Sequence, residues 1–515
     1  MKKKITGCLI AAALLALIIW LADSSGIGKK QIPETETNSE VKKTYQIVMQ
    51  WPGLGDKPDG IENVESAVNE ITEKELGVSL KLEYIKSADL KFRTNLDLES
   101  GNKLDLCVSI GGGMSRLANA GYLLELDSLL DQYGNELKDT CGIQMTGGYY
   151  QGHLYGIPVV YTDGYQYGFI CRSDLLEKYR FVPEENHYYT MDELEKLFLR
   201  VKEGEGENFF IFTGNMAQTG NIIFGSQYLI DSLGATTASG VLMLERDMDT
   251  DVIEDIYETD EYREYAERMY RWRQAGFFMP DSEILNTDPN VSLANGEAFG
   301  RFFYNVPGDE VDNSVSSGME VSFIPTREAC RMTESYQTVL WSIPANCENP
   351  QKVMEFLNLL YTDETLVNLL QRGIEGSSYV VSEENETGKV ISLPEGETID
   401  TIPYYTVYGI YGNRLQVYPW APADIDQNRK IREFSENIRL ESPALGYVFD
   451  SECVAVELSA VEEVIAKYSG IINTGLIDPD IELPLFIDEL KRAGIDKVIA
   501  ENQKQYDLWR QEYAG

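Results

Sequence analysis

The sequence predicts an α/β protein with two lobes that are connected more than once, followed by a further module at the C-terminus. Two observations carry this prediction. Apolar strand-like runs alternate with amphipathic helical segments from Tyr45 onward, which is the pattern of a sheet covered by helices. The chain also has 515 residues, which is more than one ordinary domain needs.

The first lobe begins with a βαβαβ pattern, which predicts parallel strands with helices on both faces. Its segments are the strand YQIVMQW, the helix IENVESAVNEITEKEL, the strand VSLKLEYI, the helix LKFRTNLDLES and the strand LDLCVSI. MSRLANAGYLLELDSLLDQYG then continues as helix, with Gly121 as an interruption.

Two strand-like runs around TDG, in the stretch HLYGIPVVYTDGYQYGFICRSDLLEKY, indicate where the chain crosses to the second lobe. Helices predicted over 191–202 and 257–275 belong to that lobe. The strands MEVSFIP and TVLWSIP lead back, and PQKVMEFLNLLYTDETLVNLL returns to helix.

The N-terminus has the order of an export signal, with MKKK, the apolar run CLIAAALLALIIWLA and the small, polar ADSSG. The length of the run suits either a cleaved signal or a retained anchor. We therefore expect the working part outside the cytoplasm, at the outer face of the cell membrane, secreted or N-terminally anchored. The predicted boundaries are a signal peptide or anchor at 1–24, a flexible linker at 25–44, the first lobe at 45–160, the second lobe at 161–325, the return to the first lobe and the hinge at 326–400, and the C-terminal module at 401–515.

The composition excludes several classes of function. A total of 44 Lys and Arg against 84 Asp and Glu gives a net charge of -40, which repels nucleic acid and anionic lipid. With two histidines and no CxxC among seven cysteines, neither a zinc site nor a disulfide framework is indicated. GxSxG, HExxH and P-loop motifs are missing as well. We therefore expect no metal, no cofactor and no nucleic-acid partner.

Several stretches resemble the extracellular solute-binding proteins of bacterial ABC importers, in the carbohydrate-type group called family 1. The stretches are LDLCVSIGGGMSRLANAGYLLELDSLL, HLYGIPVVYTDGYQYGFICRSDLLEKY, SLANGEAFGRFF, WSIPANCENPQKVMEFLNLLYTDE and GIEGSSY. From about Tyr404, the segments YGNRLQVYPW, SPALGYVFD and KYSGIINTGLIDPDIELP resemble a LipO-like C-terminal domain of uncharacterised function. No cysteine follows the apolar run, and this departure puts lipidation in doubt.

The resemblance implies a periplasmic-binding-protein-like fold with a hinge between its lobes. It also implies capture of a mono- or oligosaccharide by closure of the lobes, delivery to the permease subunits of an ABC importer, a monomeric state and no catalysis. Two alternatives stay open. One is a binding protein for another solute, such as a peptide or polyamine, and the other is a secreted glycoside hydrolase that uses two carboxylates.

Sugar recognition needs aromatic platforms together with polar partners, and ligands of open α/β sheets lie beyond the carboxyl ends of the strands. Trp51 ends the first strand, Gly112 follows the third, and Asp163 and Tyr165 lie at the crossing between lobes. A structural role competes with ligand contact at every one of these positions. The predicted ligand-binding residues are Trp51, Gly112, Asp163, Tyr165, Arg301, Tyr304, Trp341, Glu375, Tyr379 and Trp420.

The stretch QRGIEGSSYVV places two glycines around one carboxylate, directly after a long helical segment. Gly373 and Gly376 tolerate backbone angles that other residues resist, so we favour a structural elbow here. In that elbow, Glu375 and Tyr379 are candidates to face a ligand.

Overall fold

The computed structural model describes residues 44–214, 216–234, 236–280, 289–406 and 409–513. The predicted export signal and nearly all of the predicted linker lie outside the described residues. Within the described ranges, no helix combines the length and the apolar character needed to cross a membrane.

Strands and helices alternate along most of the chain, as the apolar patterns predict. The strands are β1 (Tyr45–Gly53), β2 (Val78–Lys86), β3 (Cys107–Ile110), β4 (Tyr149–Tyr150), β5 (His153–Leu154), β6 (Ile157–Pro158), β7 (Gln166–Arg172), β8 (Phe210–Phe212), β9 (Val241–Leu242), β10 (Ile253–Glu254), β11 (Ala298–Asn305), β12 (Val321–Pro325), β13 (Cys330–Arg331), β14 (Val339–Ser342), β15 (Val380–Asn385), β16 (Gly388–Ser392) and β17 (Leu440–Glu441). The helices are α1 (Ile61–Leu76), α2 (Leu90–Ser100), α3 (Met114–Asn119), α4 (Asp127–Tyr133), α5 (Asn135–Cys141), α6 (Ser173–Lys178), α7 (Met191–Glu205), α8 (Met216–Gln227), α9 (Asp260–Gln274), α10 (Pro289–Ala294), α11 (Asp309–Ser317), α12 (Thr333–Gln337), α13 (Pro350–Thr362), α14 (Glu364–Arg372), α15 (Gln427–Asn437), α16 (Ala455–Asn473), α17 (Pro479–Ala493) and α18 (Ile495–Tyr513).

The first lobe is built on a sheet in which β1 pairs in parallel with β2 and meets the start of β3 through a parallel bridge from Met49 to Leu106. The predicted parallel βαβαβ unit is thus confirmed. The sheet as a whole is mixed, because β14 pairs antiparallel with β3 and with β6. β14 is entered from the second lobe and not by a short crossover from a neighbouring strand of this sheet, so its direction is not fixed to be parallel.

Helix α1 shows why the local predictions hold in the first lobe. Ile61, Val64 and Val68 are fully buried, and their spacing places them on one face of a helix. They share a core with the strands β1 and β2 and with the helices α13 and α14. The long predicted helical segment that follows β14 is divided at Asp363, whose side chain accepts a hydrogen bond from the Leu366 N–H and begins α14.

The second lobe is built on a four-stranded sheet in the order β12, β7, β11 and β8. β7 pairs antiparallel with both β11 and β12, whereas β8 pairs in parallel with β11. The core beside this sheet is strongly aromatic. Phe169, Phe198, Phe212, Trp272 and Phe302 pack together there, each at most 2 % exposed.

The C-terminal helices are part of the core of the second lobe. Tyr468 and Ile472 of α16 and Phe486 of α17 lie in the same apolar cluster as Phe169. Tyr506 of α18 packs in a further cluster with Leu242 of β9. The C-terminal segment therefore stabilises the second lobe through shared apolar burial.

Three stretches of chain run between the two lobes, near 160–166, 326–338 and 438–442. Tyr165 of the first stretch forms an antiparallel bridge with Cys330 of the second, and Cys330 pairs in parallel with Leu440 of the third. Arg331 joins all three stretches. Its Nε lies 3.5 Å from Oδ2 of Asp163, and its Nη1 donates to the Ile438 carbonyl at 3.1 Å.

Candidate functional site

Two cavities lie where the chain crosses between the lobes. The aromatic cavity, of about 320 Å³, lies mainly within the second lobe and includes Tyr167, Tyr304, Arg327 and Glu334 in its wall. The arginine cavity, of about 260 Å³, lies between Asp312 of the second lobe and Arg372, Arg414 and Trp420 on the first-lobe side. Together they form the candidate ligand cleft.

The wall of the aromatic cavity follows from strand geometry. Tyr165 and Tyr167 are two residues apart, so their side chains point to the same face of the chain at the start of β7. Tyr304 of β11 lies directly opposite Tyr167 in the antiparallel pair. Its ring centroid is 5.2 Å from that of Tyr165 and 6.4 Å from that of Tyr167. The result is a cluster of three tyrosine rings, of which Tyr304 is 42 % exposed.

A charged pair of residues borders this tyrosine cluster. The guanidinium carbon of Arg327 lies 3.9 Å from the ring centroid of Tyr167. Glu334 of α12 accepts a hydrogen bond from the Ser232 hydroxyl at 3.2 Å. Desolvation raises the pKa of Glu334 and lowers that of Arg327, because the surrounding protein displaces water from both groups. Aromatic faces and charged hydrogen-bonding groups therefore meet in one cavity, which suits a ligand rich in hydroxyl groups.

The arginine cavity has a mostly polar lining, with aromatic rings beneath its cations. The guanidinium carbon of Arg414 lies 3.5 Å from the ring centroid of Tyr161, and that of Arg372 lies 5.3 Å from the ring centroid of Trp420. Tyr165 lies near residues of both cavities, since its ring packs on Tyr304 and, while burial raises the pKa of Tyr165, the charge of Arg414 lowers it. An extended ligand could therefore contact both cavities at once.

Two acidic residues of α11 lie near the arginines. Burial, together with the neighbouring carboxylates of Asp312 and Glu310, raises the pKa of Asp309 to about 7. Burial also raises the pKa of Asp312. The Asp309 carboxyl group, at this side of the cleft, is therefore partly protonated and uncharged near neutral pH.

Three predicted site residues line or adjoin these cavities, namely Tyr165, Tyr304 and Trp420. Asp163 lies at the crossing, as expected, but its carboxylate is engaged by Arg331 and accepts a hydrogen bond from the Gln144 amide at 2.9 Å. Asp163 therefore joins the hinge segments, and ligand contact by it remains a prediction.

Trp51 and Trp341 require a correction, because both lie in the core of the first lobe. Trp51 is 2 % exposed, and its indole N–H donates to the Tyr404 hydroxyl at 2.9 Å. Trp341 is fully buried, and its N–H donates to the Ile410 carbonyl at 2.6 Å. Neither ring has a free face, so the structure does not place them as sugar platforms.

The remaining predicted site residues are spread over other parts of the surface and core. Gly112 lines a separate cavity of about 210 Å³ together with Thr94 and Arg116. Arg301 is 8 % exposed and donates to the Asn290 side chain at 3.1 Å. Ligand contact by Gly112 and Arg301 stays a prediction.

The elbow after α14 has the backbone that its glycines predict. Gly373 and Gly376 have φ of 86° and 82°, and the Gly376 N–H donates to the Tyr379 carbonyl at 2.7 Å. Glu375 is exposed on this turn, whereas Tyr379 is 6 % exposed and packs near Tyr418. Neither residue lines the two cavities of the cleft, and their proposed ligand contacts are untested.

Sequence reasoning missed the arginines of the cleft. Arg372 directly precedes Gly373, and Arg414 lies in YGNRLQVYPW, so both stand within stretches that the resemblance singles out. Nothing in the local pattern shows that residues 42 positions apart in the chain lie in one cavity. Tertiary contacts alone bring them together.

A further cavity, of about 600 Å³, lies elsewhere, between residues 146–152 of the first lobe and the C-terminal segment around Tyr447 and Trp509. We favour the cleft as the ligand site because it lies at the hinge and carries both aromatic and charged groups. Among the described residues, no cluster of three or more His, Cys, Asp or Glu side chains is placed to hold a metal ion.

Two lobes joined by three crossing segments, with polar and aromatic cavities at the crossing, define a protein of the solute-capturing class. The sequence comparison agrees, since residues 66–382 match the family described as "Bacterial extracellular solute-binding protein". This match covers more than half of the chain, so the chain belongs to that family. Residues 443–511 match a second family, described as "Domain of unknown function (DUF3502)".

Similar proteins are found along nearly the whole chain. A carbohydrate ABC transporter substrate-binding protein of Streptococcus pneumoniae serotype 4 is 25% identical over 505 residues, which is 96% of this chain and 96% of the relative. The crystal structure of the N-glycan transport solute binding protein (NgtS) from Streptococcus pneumoniae is 24% identical, with a TM-score of 0.77 over 91% of this chain and 99% of that chain. The alginate-binding protein AlgQ2 without calcium ion is 15% identical, with a TM-score of 0.61 over 90% and 98% of the two chains. These structures share the two-lobed fold.

Proposed function

We propose that the protein captures a mono- or oligosaccharide between its two lobes and delivers it to the permease subunits of an ABC importer. The observation that carries the proposal is the pair of cavities at the hinge, whose linings combine tyrosine rings with charged side chains. Sugars bind such walls because their C–H faces pack on rings while their hydroxyl groups bond to charged or amide groups.

The names of the relatives support the choice of carbohydrate. The relative from Streptococcus pneumoniae is described as a carbohydrate ABC transporter substrate-binding protein, and NgtS has been crystallised with Man1GlcNAc and with Man5GlcNAc. For the present chain, the presence of two cavities at the hinge favours an oligosaccharide that contacts both of them.

The mechanism is a population shift, with no chemistry performed on the ligand. The arginine cavity has Asp312 on the second-lobe side and Arg372 on the first-lobe side, so a ligand there contacts both lobes only when they are close. A ligand with that preference stabilises the closed arrangement, which the permease then recognises. The protein acts as a monomer outside the cytoplasm, and residues 1–24 serve as its export signal or its anchor at the outer face of the membrane.

Titration calorimetry of the purified protein with mannose- and N-acetylglucosamine-containing oligosaccharides tests the proposal. Tyr304→Ala removes a ring of the tyrosine cluster and is expected to weaken binding about tenfold or more, given the contribution of a ring platform. Tyr188→Ala is a matched control, because Tyr188 is similarly exposed, at 40 %, and lies outside both cavities.

Binding by wild-type protein and by Tyr188→Ala, with loss in Tyr304→Ala, supports the proposed site. Equal affinities in all three proteins show that the sugar binds elsewhere. A response to peptides or polyamines instead of sugars moves the function to another solute, and release of a shortened sugar identifies a glycoside hydrolase.

A further inference from the structure

The arginine cavity concentrates positive charge in a strongly acidic protein. The chain carries a net charge of -40, yet Arg372 and Arg414 both line this small cavity. The two side chains are close enough for the charge of Arg414 to lower the pKa of Arg372. Two like charges in a partly desolvated cavity repel each other, and this arrangement is unfavourable unless a group of opposite charge is bound there.

Arg414 has no anionic partner among the residues that the structure describes. Its guanidinium lies over the ring of Tyr161, and no carboxylate oxygen of a described residue is within 4.0 Å of its nitrogens. The ring packs against the guanidinium, whose N–H donors point outward in its plane, and Arg414 lines the cavity.

Arg372 likewise has no anionic partner among the residues that the structure describes. Its Nε donates to the Tyr418 carbonyl at 2.9 Å, and its guanidinium lies above Trp420, again with no carboxylate of a described residue within 4.0 Å. Burial, together with the charge of Arg414, lowers the pKa of Arg372 to about 10. The hydrogen bond to a neutral carbonyl and the contact with an aromatic ring hold the Arg372 side chain in place, but neither of them neutralises its charge.

The nearby acids of the described residues form no ion pair within 4.0 Å of either arginine. Asp309 accepts a hydrogen bond from the Val306 N–H at 2.8 Å, and burial raises its pKa to about 7. Asp312 is near enough for the charge of Arg372 to favour its ionised form, but burial outweighs this effect and raises its pKa.

Two further polar groups of the cavity have no hydrogen-bond partner among the described residues. The indole N–H of Trp420 is buried without an acceptor from the described part of the chain. Gln427, which is 8 % exposed, has a buried side-chain oxygen to which no described residue donates. The cavity therefore offers guanidinium edges and an N–H donor to an anion, and an acceptor to a neighbouring hydroxyl group.

We propose that the arginine cavity receives the carboxylate of an acidic sugar, so that the solute is an anionic saccharide. The inference rests on the proposed function and names the class of sugar. Guanidinium forks match the planar, two-oxygen geometry of a carboxylate, whereas neutral hydroxyl groups leave both charges uncompensated. The ring of Trp420 and the unpartnered oxygen of Gln427 then hold the body of the sugar.

The experiment compares two saccharides that differ in one group, a neutral oligosaccharide and the same oligosaccharide with its terminal hexose replaced by the hexuronic acid. Titration calorimetry at low salt is expected to show about ten- to a hundredfold tighter binding of the acidic member, as charge-assisted hydrogen bonds provide. Raising the salt concentration weakens the preference only in part, because the pair lies inside a cavity. A sulfated form of the same sugar is the third ligand.

Arg414→Gln and Arg372→Gln are expected to abolish the preference, so that the acidic and the neutral sugar bind each variant with similar affinity. Arg439→Gln is the matched control, since Arg439 is exposed and lines neither cavity of the cleft. Should a glutamine variant fail to fold, Arg414→Lys keeps the charge but loses the fork and reduces the preference. Trp420→Phe keeps the ring and removes the N–H.

Preference for the acidic sugar in wild-type protein and Arg439→Gln, with its loss in the cleft variants, supports the inference. Equal binding of neutral and acidic sugars, or a preference for the sulfated sugar, overturns it while sugar capture stands. Failure of every sugar to bind overturns the proposed function itself, so the two failures are distinguishable.

Discussion

Asp309 is expected to make the stability of the second lobe depend on pH. Its carboxyl group lies in the first turn of α11, where it accepts a hydrogen bond from the Val306 N–H. Burial raises its pKa from 3.8 to about 7. The folded protein therefore holds a proton on this group over a pH range in which the unfolded chain has lost it.

The sign of the effect follows from proton linkage. Below pH 3.8 the carboxyl group is protonated in both states, so its effect on the free energy of unfolding is nil. As pH rises from there to about 7, the unfolded state gains from ionisation and the folded state does not, so stability falls. A difference of roughly three pKa units corresponds to about 4 kcal/mol at most, and partial access of water reduces this to about 2 kcal/mol.

Asp309→Asn removes the ionisation but keeps an oxygen that can accept the Val306 N–H. We expect the variant to exceed wild-type protein in free energy of unfolding by about 2 kcal/mol at pH 8 and to match it at pH 4. Urea unfolding at both pH values measures the difference from the shift in midpoint. Asp56→Asn is the control, because the Asp56 side chain is 98% exposed. A variant that is equally or less stable at pH 8 refutes the argument, since the carboxylate would then be stabilised by Arg414.

Three further outcomes are expected from the packing. Trp51→Ala should lower the free energy of unfolding, measured by urea unfolding, by about 3–5 kcal/mol, because it leaves a cavity in the core of the first lobe. Unchanged stability would show that the ring does not belong to the core. Gly373→Ala should lower the free energy of unfolding by about 2–4 kcal/mol, and Gly376→Ala should lower it by about 1–2 kcal/mol. The difference arises because a new Cβ lies 2.5 Å from the Ser378 hydroxyl oxygen only at position 373. Equal urea midpoints of the two variants would contradict the steric argument. A chain that ends at Ser442 should lose near-ultraviolet circular dichroism and resistance to protease in its second lobe, because α16 and α17 supply part of the core of that lobe. A protease-resistant second lobe in this shortened chain would show that the C-terminal segment is dispensable.

Much of the fold could be predicted from short stretches of sequence. Helices α1 and α2 have the bounds that their periodicity predicts, and the strands β1 and β2 fall on the predicted runs. These elements are specified by contacts between residues a few positions apart and by glycines that follow the helices. The division of the segment after β14 at Asp363 was not predicted, because continuous helical patterning hid a residue that caps a new helix.

The candidate site was predictable only where strand geometry brings side chains together. Tyr165 and Tyr304 were identified separately, and antiparallel pairing of β7 with β11 makes them neighbours. Trp51 was assigned to a ligand although it lies in the core. Its partner, Tyr404, is 353 positions away in the chain, and no local pattern reveals such a contact.

The sequence by itself determined the α/β class, the alternation of strands and helices and the resemblance to solute-binding proteins, because these depend on local periodicity and short motifs. Only the tertiary structure decided which aromatic residues are core and which line the cleft. It alone also placed Arg372 beside Arg414 and embedded the C-terminal helices in the second lobe. The physical reason is that burial and charge pairing depend on distances through space, and the three crossings of this chain bring distant segments together at one hinge.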